Sequence, residues 1–461
     1  MLNRLLQPID IATLAGFRIL FGILGFADVL GTLIYYHWIK GAYEPAGFQF
    51  KYYGFEWARP LSEPWMSLAL AGIAVLGLLV ALGWNYTKVA PLFALGFTYT
   101  FLLEKAHYLN HGYLFCWIAW IMPCLPAHRE WSWDARHRPG LRAALAPAWA
   151  TGLLAFLMGV VYFFGGIAKL NPDWLQAVPL KQWISYRSGL PLIGPLLDWE
   201  PTAWFMAYGG LLLDLTVVLF LLYRPPRLWA FGAVLFFHSI NLLVFNIGIF
   251  PFLSVALTAL YFPPSFPRRG LAWLGLRWGW LARQQAKWAA LPDNGAEAAG
   301  YWQFRQRYAP YILAGLTSIA LAHLALPLRH HLLPGDVAWT EEGHRYAWRM
   351  MLRSKTGAGH FEVVLPDGGK EKVRPADYLS HRQERKLYTH PDMILQFAHF
   401  LRDEYAAQGD TVAVYAHINC RLNYRPHCPY IDPEADLASA TWSFWAPSPW
   451  ILPEADHSAG D

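Results

Sequence analysis

Nine apolar segments, each close to the length of a bilayer crossing, do most to restrict the folds open to this chain. They fall at roughly 11–36, 65–84, 88–108, 112–128, 147–170, 202–223, 227–246, 249–263 and 310–328, measured against about 20 residues per crossing. The eighth is short and the fourth contains Pro123, so the count is nine to within one. No water is available in a bilayer to satisfy exposed backbone, so such segments must be helices and must bundle. Composition agrees, with 55% hydrophobic, 16% aromatic and only 15% charged residues among 461, where a soluble domain carries about 25% charged.

The loops sort by charge. Arg129, Arg136, Arg138 and Arg142 lie in 129–146, Arg224 and Arg227 in 224–227, and Arg268, Arg269, Arg277, Arg283, Lys287, Arg305 and Arg307 in 264–309. If every segment crosses once, these loops share a side with Lys88 and with Arg4 at the N-terminus, and the positive-inside rule makes that side cytoplasmic. The net charge of +5 is thus a topology signal. No basic stripe with interleaved aromatics appears, so no nucleic-acid partner is expected. Met1–Gln7 runs into the first apolar stretch without a small-residue cleavage site, so the first helix is expected to act as its own insertion signal. There is no P-loop, dinucleotide fingerprint or short repeat.

The chain from 329 to 461 then lies on the extracytoplasmic side, and its character changes. Ala347–Leu352 and His360–Leu365 read as strands, Pro366–Gly369 as a hairpin turn and Lys372–Arg374 as a return strand. Asp392–Ala407 reads as an amphipathic helix and Thr411–Asn419 as another strand. The expected fold is an α-helical polytopic membrane bundle over residues 1–328 with a C-terminal β-rich extracytoplasmic domain over 329–461. Cys420 and Cys428 fall where a disulfide is permitted. Cys116 and Cys124 read as small apolar packing residues. With no CxxC pair and no metal-spaced His/Cys cluster, no metal is expected.

Placing the polar residues on this topology gives a coincidence. Lys169 closes the fifth segment at its outer end, where a dehydrated amine favours its neutral, basic form. Asn110 and His111 open the fourth at the same level, His238 and Asn241 sit in the outer half of the seventh, and His330 and His331 follow the ninth. Each has a structural reading on its own: a snorkelling lysine, an interhelical hydrogen bond, a helix cap, solvated interface histidines. Together, four helices bring Lys, His and Asn to one depth. That is equipment for deprotonation and oxyanion stabilisation on a hydrophobic substrate.

At these residues the chain resembles the vitamin K-dependent γ-glutamyl carboxylases, including bacterial relatives with an HTTM-type membrane domain. Phe17-Arg18-Ile19-Leu20-Phe21-Gly22 is similar to the family's first helix, and Asn110-His111-Gly112-Tyr113-Leu114 to its Asn-His-Ser-Tyr-Leu. Gly166-Ile167-Ala168-Lys169-Leu170-Asn171-Pro172-Asp173-Trp174 is similar to its Gly-Val-Lys-Lys-Leu-Asp-Ala-Asp-Trp. Gly209–Leu215 and Phe237–Asn241 follow in order, and then Leu326-Pro327, Trp339-Thr340, Tyr346-Ala347-Trp348, Met350-Met351 and Trp442-Ser443. The resemblance covers nearly the whole chain.

The resemblance implies that Lys169 is the base that deprotonates vitamin K hydroquinone, or menaquinol in a bacterial host. Reaction with O2 then gives an alkoxide that strips a γ-proton from a peptide glutamate. CO2 adds to the carbanion, and the quinone leaves as its 2,3-epoxide. An apolar pocket would keep water from quenching that base. The resemblance also implies roles for His111 at the glutamate and CO2 step, for Asn110 and Asn241 toward the quinone or substrate, and for His238 and His330. Arg187 matches a family arginine after a shift of one or two residues. The protein substrate would be a Glu-containing protein or peptide. The family's first lysine is Ala168 here, and the chain ends soon after the β-rich domain. The propeptide-binding surface of the animal enzymes is therefore expected to be reduced or different. Two other readings stand beside this one: a quinol epoxidase that carboxylates nothing, and a transporter using the same Lys/His/Asn cluster. A transporter would need polar groups open to both sides, whereas these gather at the outer end. A scaffolding protein would tolerate substitution of Lys169.

Overall fold

The computed structural model describes residues 2–38, 48–138, 140–191, 193–245, 247–293 and 296–455. Six helices among them are long and apolar enough to cross a bilayer: Ala12–Tyr35, Trp65–Leu82, Ala148–Ala168, Glu200–Leu222, Arg224–Phe245 and Tyr308–Leu332. The other three expected segments fold as shorter apolar helices, Tyr86–Leu102, Asn110–Ile121 and Phe250–Thr258. The sequence explains the shortening. Pro123 turns the chain into a 3-10 turn directly after Ile121. The Glu104 carboxylate accepts from the Ala106 N–H and starts a separate turn just past Leu102.

The first two long helices are pressed together at a pair of glycines. A Cβ on Gly22 would lie 2.4 Å from the Ala81 backbone nitrogen, and one on Gly77 would lie 2.8 Å from that of Phe26. Only a residue without a side chain permits this approach, the small-residue packing of membrane helices. Arg18, fully buried, then ties three chain segments: its own helix, the end of the second long helix and the loop 127–131. Its guanidinium donates to the carbonyls of Ala81, Ala127, Glu130 and Trp131 at 2.6–3.1 Å.

The bundle has two chemically distinct ends. At one, Pro8–Asp10 pairs with Leu145–Pro147 as a two-stranded sheet. There Arg268 spans Asp10 and Glu130, and Arg142 takes the other Glu130 oxygen. The opposite end carries the C-terminal region. Its four-stranded antiparallel sheet runs in the order Lys370–Val373, Lys355–Val364, Ala413–Leu422, Cys428–Pro429. One face, with Phe361, Val363, Val414, Ala416 and Ile418, packs on Met393, Phe397 and Leu401 of the Pro391–Ala406 helix. The turn after Val364 closes through Gly368 N–H to Leu365 O and Leu365 N–H to Gly369 O. Phe50 joins this core, and Gln396 pairs with the Lys51 backbone, so the chain at residues 48–51 is docked there as well.

One expected strand is absent. Ala347–Leu352 is irregular, because positive φ at Tyr346, Trp348 and Met351 (66°, 57° and 50°) breaks the extended backbone. The apolar alternation there serves a different end. Trp348 is buried in the main bundle core and Leu352 in a second cluster, so the segment plugs the C-terminal region into the helices. Cys420 and Cys428 face each other across adjacent strands as free thiols.

Candidate active site

The Ala148–Ala168 helix terminates at Lys169, its C-cap. One turn earlier, a Cβ on Gly166 would lie within 2.8 Å of the Leu215 side chain. The close contact sets the Glu200–Leu222 helix against this one and brings Asp214 opposite Lys169. Nζ donates to Asp214 Oδ2 at 2.5 Å and to the Gly165 carbonyl at 3.2 Å, and lies 5.4 Å from the Trp174 ring centre. Lys169 and Asp214 are only 8% and 6% exposed. The pair is therefore a buried one, whose charge is uncompensated if either partner is lost.

Both side chains line a cavity of about 400 Å³ running from between the helices into the C-terminal region. Its inner part is mostly apolar, with Met158, Val161, Phe237, Phe245 and Phe250. Asn110, His111, His238 and Asn241 line the same cavity, so these four converge with Lys169. His111 stacks on Phe250 (5.7 Å), and Phe250 meets His238 edge-on (5.9 Å). Asn110 accepts from Tyr108 Oη at 2.8 Å. His330 and Arg187 lie elsewhere. His330 is bound through Nδ1 to the Pro327 carbonyl and tilted against His331, and Arg187 is exposed in the loop after Val178–Ser185.

A hydrogen-bond chain fixes the state of His238. Thr258 Oγ1 donates to the Ser254 carbonyl (2.7 Å), so it accepts from Tyr162 Oη (3.1 Å), which in turn accepts from His238 Nε2–H (3.3 Å). The network thus assigns the proton to Nε2. Nδ1 is left as a buried lone pair with no protein partner among the described residues. A bare acceptor of this kind in an apolar pocket fits a bound hydroxyl donor.

Beyond Lys169 the cavity changes sign. Lys105, Arg345, Arg349, Arg353, Lys355 and Lys386 line it with the Glu341 carboxylate, and Asp392 lies behind Lys105 and Arg345. Asp392 is held by Lys105 and Arg345 at 2.6 Å each. Burial works to raise its carboxyl, but the Arg345 and Lys105 charges reverse this and hold it well below the usual range. Burial pushes Lys355 and Lys386 down to about 8 and His344 down to about 3. Arg349 and Lys386 form no ion pair among the described residues, so the chamber presents unneutralised cations. Glu341, His344 and His390 place ligand atoms within 4.8 Å of one another, a spacing a metal could use. However, Arg353 already engages both Glu341 oxygens, and the surrounding cations favour an anion over a metal cation here.

The chamber residues and Asp214 were not singled out in the sequence. Asp214 carried a usable signal, since an acid inside an apolar helix demands a cation at the same depth. The chamber carried none, because Arg349 lies within an irregular segment with no periodicity and Arg353 and Lys355 just follow it.

Two family models match the chain. The HTTM domain covers residues 6–266, and the lumenal domain of vitamin K-dependent gamma-carboxylase covers residues 309–457. No solved structure matches it. A helical membrane domain and a sheet-containing region meeting at one buried lysine thus correspond to two successive family domains, and the chain belongs to the vitamin K-dependent γ-carboxylase family.

Proposed function

We propose that the protein is a vitamin K-dependent γ-glutamyl carboxylase, with the quinol in the apolar part of the cavity and the substrate glutamate in the cationic chamber. The observation that carries this reading is the buried Lys169–Asp214 pair at the junction of the two zones. A volume of about 400 Å³ is suitable for a bicyclic head group. In this family the reduced quinone, oxidised by O2, supplies the strong base that removes the glutamate γ-proton before CO2 adds.

The chain's own residues account for the first proton transfer. Lys169 Nζ receives a quinol hydroxyl proton as the proton it shares with Asp214 passes to Oδ2. The pair gains one proton, the carboxylate is neutralised, and an ammonium remains beside the new oxyanion. His238 Nδ1 accepts from the second hydroxyl and orients the ring. Asn110 and Asn241 supply neutral donors, and His111 sits between ring and chamber for the later glutamate and CO2 step. Arg349 and Lys386 bind the substrate carboxylate.

The basic loops and the Asp10–Glu130–Arg142–Arg268 end are cytoplasmic, and the chamber with residues 329–461 is extracytoplasmic. The deciding experiment supplies full-length protein in nanodiscs with reduced vitamin K or menaquinol, O2, labelled bicarbonate and a Glu-containing peptide. Epoxide and incorporated label are followed together, in wild type and Lys169→Ala. Both products in wild type and neither in the variant is the expected result. Epoxide without label makes the protein a quinol epoxidase, and no epoxide from folded protein with either quinol overturns the assignment.

A further inference from the structure

At the bundle end opposite the cavity, the helices Phe266–Arg277 and Gly279–Ala289 form a hairpin that the enzymatic reading leaves unused. The hairpin is well fixed. Arg268 binds Asp10 and Glu130, Thr13 Oγ1 donates to the Pro264 carbonyl at 2.6 Å, and Gln285 Nε2 donates to the Leu271 carbonyl at 2.6 Å across the two helices. Yet it buries almost nothing. Gly275 is the sole buried residue of the first helix and the second has none. Trp273, Leu276, Trp278 and Trp280 are 51–86% exposed. A rigid element that displays four large apolar side chains needs a cover.

Charge identifies the cover. From Pro263 to Pro292 the chain has five basic residues and no Asp or Glu. Arg268 is neutralised at the bundle, while Arg269, Arg277, Arg283 and Lys287 are exposed and form no ion pair among the described residues. Arg277 lies over the Trp273 ring at 4.7 Å, so cation and indole stand side by side. Tryptophans with arginines on a helix adjoining membrane spans suit the headgroup layer, where rings lie at the acyl boundary and cations reach phosphates. We infer that this hairpin is a docking surface for anionic phospholipid headgroups of the leaflet at this end of the bundle. The inference is independent of the catalytic reading.

The test compares full-length protein in nanodiscs of phosphatidylcholine alone with nanodiscs containing one third phosphatidylglycerol, by hydrogen–deuterium exchange over residues 266–289. Exchange is expected to slow roughly tenfold or more in the anionic discs, with the difference reversed by high salt. The R269E/R277E/R283E/K287E variant is expected to lose the difference while its other peptides exchange as in wild type. Should that variant misfold, the salt reversal in wild type still decides. Equal exchange in the two discs, or protection that grows with protein concentration regardless of lipid, overturns the inference. The first would mean apolar insertion alone, and the second a contact between copies.

Discussion

Replacing Asp214 by asparagine removes a negative charge 2.5 Å from Lys169 Nζ while preserving the shape and one oxygen acceptor. At an effective dielectric constant near 20 the gross attraction at this separation is roughly 7 kcal/mol, and removing one partner of a buried pair costs about 3–5 kcal/mol net. Asparagine still accepts a hydrogen bond, so the lower end, about 3 kcal/mol, is the expected loss. If the pair takes up the quinol proton as a unit, that loss appears in the rate as about two orders of magnitude in epoxide formation. Lys169→Ala is expected to lose about 10²–10⁴-fold. The double variant should then lose no more than the larger single loss, since two halves of one proton acceptor do not act independently. The assay is epoxide formation by full-length protein in nanodiscs at saturating quinol, with thermal melts to separate folding from turnover. Losses that multiply in the double variant would refute the unit. Full epoxidation by a destabilised Asp214→Asn would reduce the pair to a structural contact.

Further outcomes follow from the chamber and the bundle. Arg349→Ala removes a cavity-lining cation without orphaning a partner, so it should raise KM for the Glu-containing peptide by roughly ten- to hundredfold and leave the quinol dependence of epoxidation unchanged. An equal effect on both substrates would place Arg349 outside the glutamate subsite. His344 titrates near 3 when folded and near about 6.5 unfolded. The unfolded chain therefore binds the extra proton between these values, and stability falls as pH drops from about 6.5, by up to about 1.4 kcal/mol per pH unit. Burial raises Glu104 to about 7, giving an opposite slope between about 4.5 and 7, so the measurable quantity is a difference. His344→Gln should lose less stability on acidification than wild type, and identical slopes in denaturant melts would contradict the assignment. Gly22→Ala forces a methyl to 2.4 Å from backbone and should cost about 1–3 kcal/mol. Gly72→Ala, with open space around it, should not lower the melting temperature, and equal effects at the two sites would argue against the close crossing.

How much of this was legible in the sequence follows from where each signal is stored. Long apolar segments announce helices, and a lysine closing one of them is visible without any contact being known. Hence Lys169, Asn110, His111, His238 and Asn241 all line one cavity. His330 sits at the expected end of the bundle but faces the Pro327 carbonyl, because helical depth says nothing about rotation around the axis. The strand read at Ala347–Leu352 failed for a related reason. Alternating apolar residues can serve two separate cores instead of one sheet face, and left-handed Trp348 and Met351 make that split.

The two zones of the cavity explain why a lysine, and one with a buried acid behind it, suits this junction. A proton acceptor open to the apolar zone alone would stabilise a new oxyanion poorly. One open to the cationic chamber alone would compete with six cations for any substrate carboxylate. Lys169 is screened from the chamber's demand by Asp214, which neutralises it at rest. In the proposed mechanism, proton uptake by the pair removes that neutralisation, so a positive charge emerges beside the quinol only when an anion forms there. The site is thereby complementary to the charge that develops during reaction more than to the neutral quinol, which is the condition for lowering the barrier instead of merely tightening binding. Without Asp214 the lysine would have no partner to take up its shared proton, and that distinction would be lost. For this reason the Asp214→Asn variant is expected to fall mainly in kcat, with its quinol half-saturation little changed.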